Sequence, residues 1–377
     1  MNPTPGEQMD LDSILKKRKV LITCGMGGVG KTTLSAAIAI RAALMGKKVA
    51  VITIDPAKRL ANSLGLDSLD DHPKDITSQL RESLQHAQAQ NLFRPNPNWN
   101  TEGSLSAIMP DTRRTFENFV HELSPHPAVT QKVIENPIFQ IFAKEFSGTN
   151  EYMALERLLS LYRSGQYDFI VLDTPPSRNT LAFLNAPQLL ARFFDEKLVR
   201  LLVLPANQLL SSGIKKALSI LEKLTGAGFM THLFDFAASL FEVQVNFSAS
   251  LKKITTLLQS SEVGFLMVTT PTMDAIEEAK HFIQSVQEHQ FSFDGIILNR
   301  TLEHLDPSAE PLEPSQIKPY QGAFEIMQDI RGREQIVTEN LQKTGIPICA
   351  KVTELARDVH SVEDLLYVAT ALQPHPH

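Results

Sequence analysis

A chain of 377 residues that is 43% hydrophobic and 21% charged can bury a large core, as one big α/β domain or a domain with a subdomain, which excludes the disordered class. A net charge of -6 with a pI near 6.0 argues against a nucleic-acid-binding surface, because phosphate contacts need clustered Lys and Arg. No apolar stretch reaches the about 18 residues of a membrane span, and the opening "MNPTPGEQMD" has neither the basic nor the apolar region of a leader, so a cytoplasmic protein without an integral membrane segment is expected.

In chain order, residues 1–18 are expected to form a flexible tail, with the basic run "KKRK" (Lys16–Lys19) as a solvated strand entry. Short β-branched runs bounded by Asp, Pro or Gly follow at "KVLITCG" (19–25), "KKVAVITIDP" (47–56), "YDFIVLDTPP" (167–176), "VGFLMVTTP" (263–271), "DGIILNR" (294–300) and "IPICAKV" (346–352). They lack hydrophobic/polar alternation and several are separated by helical patterns, which predicts an α/β fold with a mostly parallel sheet of about seven or eight strands covered on both faces. Two regions depart from this rhythm. Residues 66–103 are polar, ending near the tip "FRPNPNWN", and residues 187–260 are helical throughout and rich in Phe. The expected organisation is one domain over 19–370, with a helical subdomain mainly at 187–260, a smaller insert at about 66–165, a surface loop at 303–318 and a short tail at 371–377. Cys24 and Cys349 are far apart, with no Cys-x-x-Cys pair, so both are expected to be buried small hydrophobes and no thiolate zinc site is expected.

The chemistry sits between the first strand and its helix. In "GMGGVGKTT" (Gly25–Thr33), Gly25, Gly30, Lys31 and Thr32 fit G-x-x-x-x-G-K-[ST], the phosphate loop of a P-loop NTPase. The backbone N–H groups of Gly27, Gly28, Val29, Gly30 and the first residues of the helix, Lys31, Thr32 and Thr33, turn toward the phosphates without a Cβ in the way. Lys31 is expected to reach the β- and γ-phosphates as a point charge, the Thr32 hydroxyl to ligate Mg²⁺, and the helix to add its positive dipole end. A triphosphate site needs further carboxylates at strand ends. Asp55 ends the second strand in "VITIDPAKRL" and Asp173 ends another in "FIVLDTPPSRNT", and parallel topology brings such ends to the loop's edge. Asp173 suits an outer-sphere Mg²⁺ ligand and Asp55 suits orientation or deprotonation of the attacking water; the alternative for each is a cap on a strand end or on the next helix.

"GGVGKTT", "DPAKRLANSLG" and "DTPPSRNTLAFLNAP" together resemble the phosphate loop and two switches of the arsenical-pump and tail-anchored-protein-targeting ATPases, a branch of the P-loop NTPases. "MPDTRRTFENFV" and "GTNEYMALERL" resemble bacterial members, so the likeness spans most of residues 19–365. The resemblance implies ATP as the nucleotide, Mg²⁺, hydrolysis coupled to opening and closing of a homodimer or of a heterodimer with a related ATPase, and handling of a hydrophobic helix client. It also implies that Asn299, in "IILNR", contacts adenine, beside the segment after Pro347. Two departures stand out. The cysteine patterns of the zinc-bridged and arsenite-binding members are missing, so arsenite is not expected as a ligand. Met26 stands where the family usually places a signature lysine that crosses the dimer, and methionine donates no charged hydrogen bond. Arg178, in the second switch, is either a substitute cation or a surface arginine.

For the client, Phe229, Leu233, Phe236, Leu240 and Val243 recur at three- and four-residue steps and give one helix an apolar face. "LARFFDEKLVRLLVLP" is apolar around more of its circumference than a two-layer helix needs. Core packing and a groove for a hydrophobic helix both account for this pattern. Two other functional readings remain at this level: a nucleotide-gated binding subunit with little turnover, and a partitioning or septum-placement ATPase. The last needs DNA or membrane binding, for which the end "SVEDLLYVATALQPHPH" is weakly basic.

Overall fold

The computed structural model describes residues 10–54, 59–90, 99, 102–124, 126–137, 140, 149–174, 185–187, 228–302, 321–355 and 358–372. Its elements in chain order begin with α1 (Leu11–Lys17), β1 (Val20–Cys24), α2 (Lys31–Leu44), β2 (Lys48–Thr53), α3 (Arg59–Ser63), β3 (Lys74–Asp75), α4 (Thr77–Ala89) and β4 (Ser104–Ile108). There follow α5 (Thr112–Leu123), α6 (Pro127–Glu135), α7 (Thr149–Ser164), β5 (Phe169–Asp173), α8 (Gly228–Leu258) and β6 (Val263–Thr269). The chain closes with α9 (Asp274–Glu288), β7 (Phe293–Thr301), α10 (Gln321–Lys343), β8 (Ile348–Thr353) and α11 (Val362–Ala371). The chain divides into two compact units, one of Met1–Met109, Ser164–Leu181 and Leu258–His377, the other of Pro110–Arg163 and Ala182–Leu257.

The first unit holds an eight-stranded sheet of order β3-β4-β2-β5-β1-β6-β7-β8, parallel except where β3 meets β4. Every residue of β1, β5 and β6 is buried, which is why these runs are apolar on both faces rather than alternating. Register decides what meets at the sheet's edge: Asp173 on β5 pairs with Thr23 on β1 and with Thr53 on β2. Three polar side chains therefore sit in one row at the C-terminal ends of adjacent strands. α2 is buried nearly all round, and its Arg41 is held by Asp12 at 2.6 Å and by the Ala369 carbonyl at 2.8 Å.

The expectation of a flexible tail over residues 1–18 is corrected in its second half. Asp10 caps α1 through the Ser13 N–H at 2.7 Å, and Leu11, Ile14 and Leu15, spaced to share one helix face, are fully buried in the core of the sheet unit. The basic run is likewise divided. Lys16, Lys17 and Lys19 are exposed, whereas Arg18 is buried and grips Asp294 of β7, with Nε 3.0 Å from Oδ2 and Nη2 2.5 Å from Oδ1. At the other end α11 packs Leu365 and Leu366 into that same core, and Leu372, placed in the expected tail, is buried with them. Both cysteines are buried and unpaired.

The insert expected over about 66–165 belongs to two bodies: its first part carries β3, α4 and β4 of the sheet, and residues 110–163 join the helical unit. In that unit Phe119 packs edge-on against Tyr152 and Phe247, with ring centroids 5.6 and 5.7 Å apart. Tyr152 donates a hydrogen bond to Glu156, which also accepts one from Ser250 at 2.7 Å. Phe236 on α8 is buried; the side chains of Phe229, Leu233, Leu240 and Val243, the "LARFFDEKLVRLLVLP" segment and the 303–318 loop lie outside the described residues.

Candidate functional site: a phosphate loop on the sheet edge

The loop from Gly25 to Gly30 leaves β1 and enters α2 by a path that only glycine follows at two points. Gly25 has φ 148, and a Cβ there would lie 2.1 Å from the Val268 carbonyl oxygen on β6. Gly30 has φ 88 and caps α2 in the left-handed region, and its Cβ would lie 2.3 Å from Asn299 Nδ2. Since Gly30 offers no side-chain cap, the first amides of a buried helix face the loop with their partial positive charge. Lys31 is 5% exposed, and its ammonium donates to the Met26 carbonyl at 2.7 Å. The Met26 side chain is among the exposed large hydrophobics.

Beneath the loop lies Asp173, fully buried at the end of β5. Thr32 donates to its Oδ2 at 2.8 Å, Thr53 to the same oxygen at 2.9 Å, and the Ser35 hydroxyl lies 3.2 Å from Oδ1. Ser35 also stands 2.6 Å from the Thr23 hydroxyl and 2.8 Å from the Lys31 carbonyl. Burial pushes the Asp173 carboxyl up to about 6, against the pull of the Thr32 and Thr53 hydroxyls, the Lys31 charge and Ser35.

On the other side of the loop an open cavity of about 150 Å³ is lined by Gly30, Thr33 and Leu34, by Asn299 and Arg300 of β7, by Val352 and Thr353 at the end of β8, and by Glu354, Leu355, Asp358 and Val359 beyond it. Asn299 donates from Nδ2 to the Val29 carbonyl at 2.8 Å. Among the described residues, none of the helices is long and apolar enough to cross a membrane, and no group of His, Cys, Asp and Glu forms a metal cluster of its own.

A family model described as "Anion-transporting ATPase" matches residues 18–361. The chain belongs to the anion-transporting ATPase family. It is 26% identical over 289 residues to a putative arsenical pump-driving ATPase 2 of Aquifex aeolicus, covering 75% of this chain and 80% of that one. It is also 26% identical over 293 residues to ATPase GET3B of Arabidopsis thaliana, 76% of this chain and 65% of the relative. With ATPase ARSA1 of Chlamydomonas reinhardtii the identity is 24% over 293 residues, 76% of this chain and 35% of the longer relative.

As an anion-transporting ATPase the chain is a P-loop α/β ATPase, and most of its expected site residues fall within one neighbourhood. Gly27, Gly28, Val29, Gly30, Lys31, Thr32 and Thr33 form the loop and helix start, Asp173 lies under Thr32, and Asn299 touches the loop from the cavity side. Asp55 and Arg178 lie outside the described residues. Sequence reasoning missed Thr23, Ser35 and Thr53. A lone hydroxyl in an apolar strand or helix belongs to no motif; strand register brings Thr23 and Thr53 beside Asp173, and Ser35 reaches it from one helical turn after Thr32. The site accommodates Mg²⁺ by its donor chemistry: a hydroxyl and a buried carboxylate are the hard oxygen donors that this ion takes, and the loop is closed to any Cβ at Gly25 and Gly30.

Proposed function

We propose that this ATPase binds Mg²⁺·ATP at Gly25–Thr33 and hydrolyses its terminal phosphoanhydride bond. The observation that supports this most is the pairing of a glycine-built loop with a buried carboxylate bound to its Thr32 hydroxyl at 2.8 Å. Lys31 would leave the Met26 carbonyl for the phosphate oxygens, a stronger acceptor for an ammonium. Thr32 and Asp173 would hold the Mg²⁺, which, when bound, draws negative charge from the phosphate oxygens. Asp55, two residues after the end of β2 in the sequence, would orient or deprotonate the water. Asn299 and the residues after β8 would take the adenine in the cavity beside Thr33. Hydrolysis would then open and close a dimer that handles a hydrophobic helix, with the apolar residues of 187–260 as its surface; the motif resemblance to the tail-anchored-protein-targeting ATPases favours this client. Calorimetric titration with Mg²⁺·ATP and phosphate release test the reading: Lys31→Ala should abolish both, and wild-type affinity in that variant would remove the phosphate-loop assignment.

A second reading, a nucleotide-gated subunit with slow turnover, rests on exposed Met26. A trans cation is worth about 10³–10⁵ in rate in other phosphate-loop enzymes. Met26→Lys should therefore speed phosphate release at saturating ATP if the loop faces a partner's phosphates. A dimeric Met26→Lys protein no faster than dimeric wild type would sink this second reading.

A further inference from the structure

Val29 and Gly30 share one peptide unit, and its carbonyl is held from the cavity side by the 2.8 Å bond from Asn299. A trans peptide is planar, with C=O and N–H pointing in opposite directions. Holding the Val29 oxygen therefore fixes the direction of the Gly30 N–H, one of the donors with which a phosphate loop grips its anion. The contact is close: Asn299 Nδ2 occupies the space into which a side chain on Gly30 would extend.

The backbone is shaped to make that contact. β7 pairs with β8 through Asn299↔Val352 and then Thr301↔Thr353, so Arg300 is an extra residue, and it adopts φ 58, in the left-handed region. A bulge of this kind interrupts the ladder and re-aims a side chain beside it. An amide has two N–H donors and one acceptor, and the bond to Val29 takes one donor. The side chain keeps two groups for a ligand while it also lines the cavity.

We propose that Asn299 is a positioning residue for the phosphate loop. It acts on the triphosphate through the Val29–Gly30 peptide, whether or not a base is present. This rests on the loop being a triphosphate site. The test is calorimetric titration of the full chain, wild type and Asn299→Ala, with Mg²⁺·ATP and with Mg²⁺·tripolyphosphate, which carries no base. Asn299→Ala should bind tripolyphosphate about five- to tenfold more weakly, the effect of one hydrogen bond, with its melting temperature lower by no more than a few degrees. Unchanged affinity for tripolyphosphate, with weaker ATP binding, would confine Asn299 to the base and overturn the proposal. Hydrogen exchange on the ligand-free chain gives a second readout: amides of residues 26–33 should exchange faster in Asn299→Ala, with β1 and β6 unaffected, and equal loop rates would overturn it. A wild type that binds neither ligand would instead overturn the triphosphate site itself.

Discussion

The two ends of the sheet each bury a carboxylate, and they hold it in opposite ways. Where β1 and β5 stop, Asp173 has three hydroxyls as its hydrogen-bond partners among the described residues. Where β7 starts, Asp294 is gripped by the Arg18 guanidinium, whose remaining nitrogen donates to the Ser261 carbonyl at 2.5 Å. Gly264 makes room for that pair, since a Cβ there would come within 1.8 Å of Asp294 Oδ2. Burial raises both carboxyls, and at Asp294 the arginine works directly against the rise. Asp294 is neutralised inside the fold. Asp173 is served by neutral dipoles and the field of Lys31, so a cation arriving from outside would relieve it. A buried acid paired by its own chain has its charge answered in place; one left to hydroxyls would be poised for a ligand.

The largest effect should come from the paired end. Arg18→Ala leaves Asp294 buried without its cation and should lower the unfolding free energy by about 3–5 kcal/mol, while the folded protein keeps its ATP affinity; urea unfolding and titration check the two halves. A loss of ATP affinity would break the division between the ends.

The hydroxyl end should show its difference in pH dependence. A carboxyl raised to about 6 contributes stability in full below its unfolded value near 3.8 and loses it as pH rises through about 6. Without nucleotide or Mg²⁺, wild type should therefore gain on Asp173→Asn as pH falls from 7 to 4, by up to about 3 kcal/mol. Melting curves of both proteins across that range measure it, and a constant difference would mean that Asp173 does not titrate there. At pH 7.5 Asp173→Asn should also weaken the Mg²⁺ dependence of ATP binding.

A smaller effect should follow from Ser35→Ala, which removes one of three hydroxyls. We expect a loss of about 1–2 kcal/mol and a further upward shift of the Asp173 titration, read from the same pH series. The smallest should be the double change Arg18→Met with Asp294→Leu, which removes both charges together. It should lie within about 1 kcal/mol of wild type, and a loss as large as that of Arg18→Ala would show that the pair has a role beyond neutralising itself.

The sheet was legible at β1, β2, β5, β6, β7 and β8 because these are largely buried β-branched runs bounded on at least one side by Asp, Gly or Pro. β4 was missed because "SLSAI" carries two serines and follows a polar stretch, and β3 is only two residues long. α1 went unseen because its lysines suggested solvent, although Leu11, Ile14 and Leu15 already had helical spacing. In the site, the loop and Asp173 were visible because phosphate binding constrains local sequence. Thr23 and Thr53 were not, since their role comes from strand register, a long-range property, and Ser35 was not, since the packing of α2 on β5 decides which of its polar residues meets Asp173. The contact of Asn299 with Val29 spans 270 positions of sequence and has no local signal at all.

The core shared by α1 and α11 has a consequence for biosynthesis. Leu11, Ile14 and Leu15 pack in the same cluster as Leu365, Leu366 and Leu372, and Arg41 joins Asp12 to the Ala369 carbonyl. α11 emerges from the ribosome more than 340 residues after α1. At bacterial or eukaryotic elongation speeds the wait is on the order of 20–70 s, during which the face of α2 that α11 covers stays open. A chain that stops before Val362 has made every strand of the sheet and still lacks the helix that seals it.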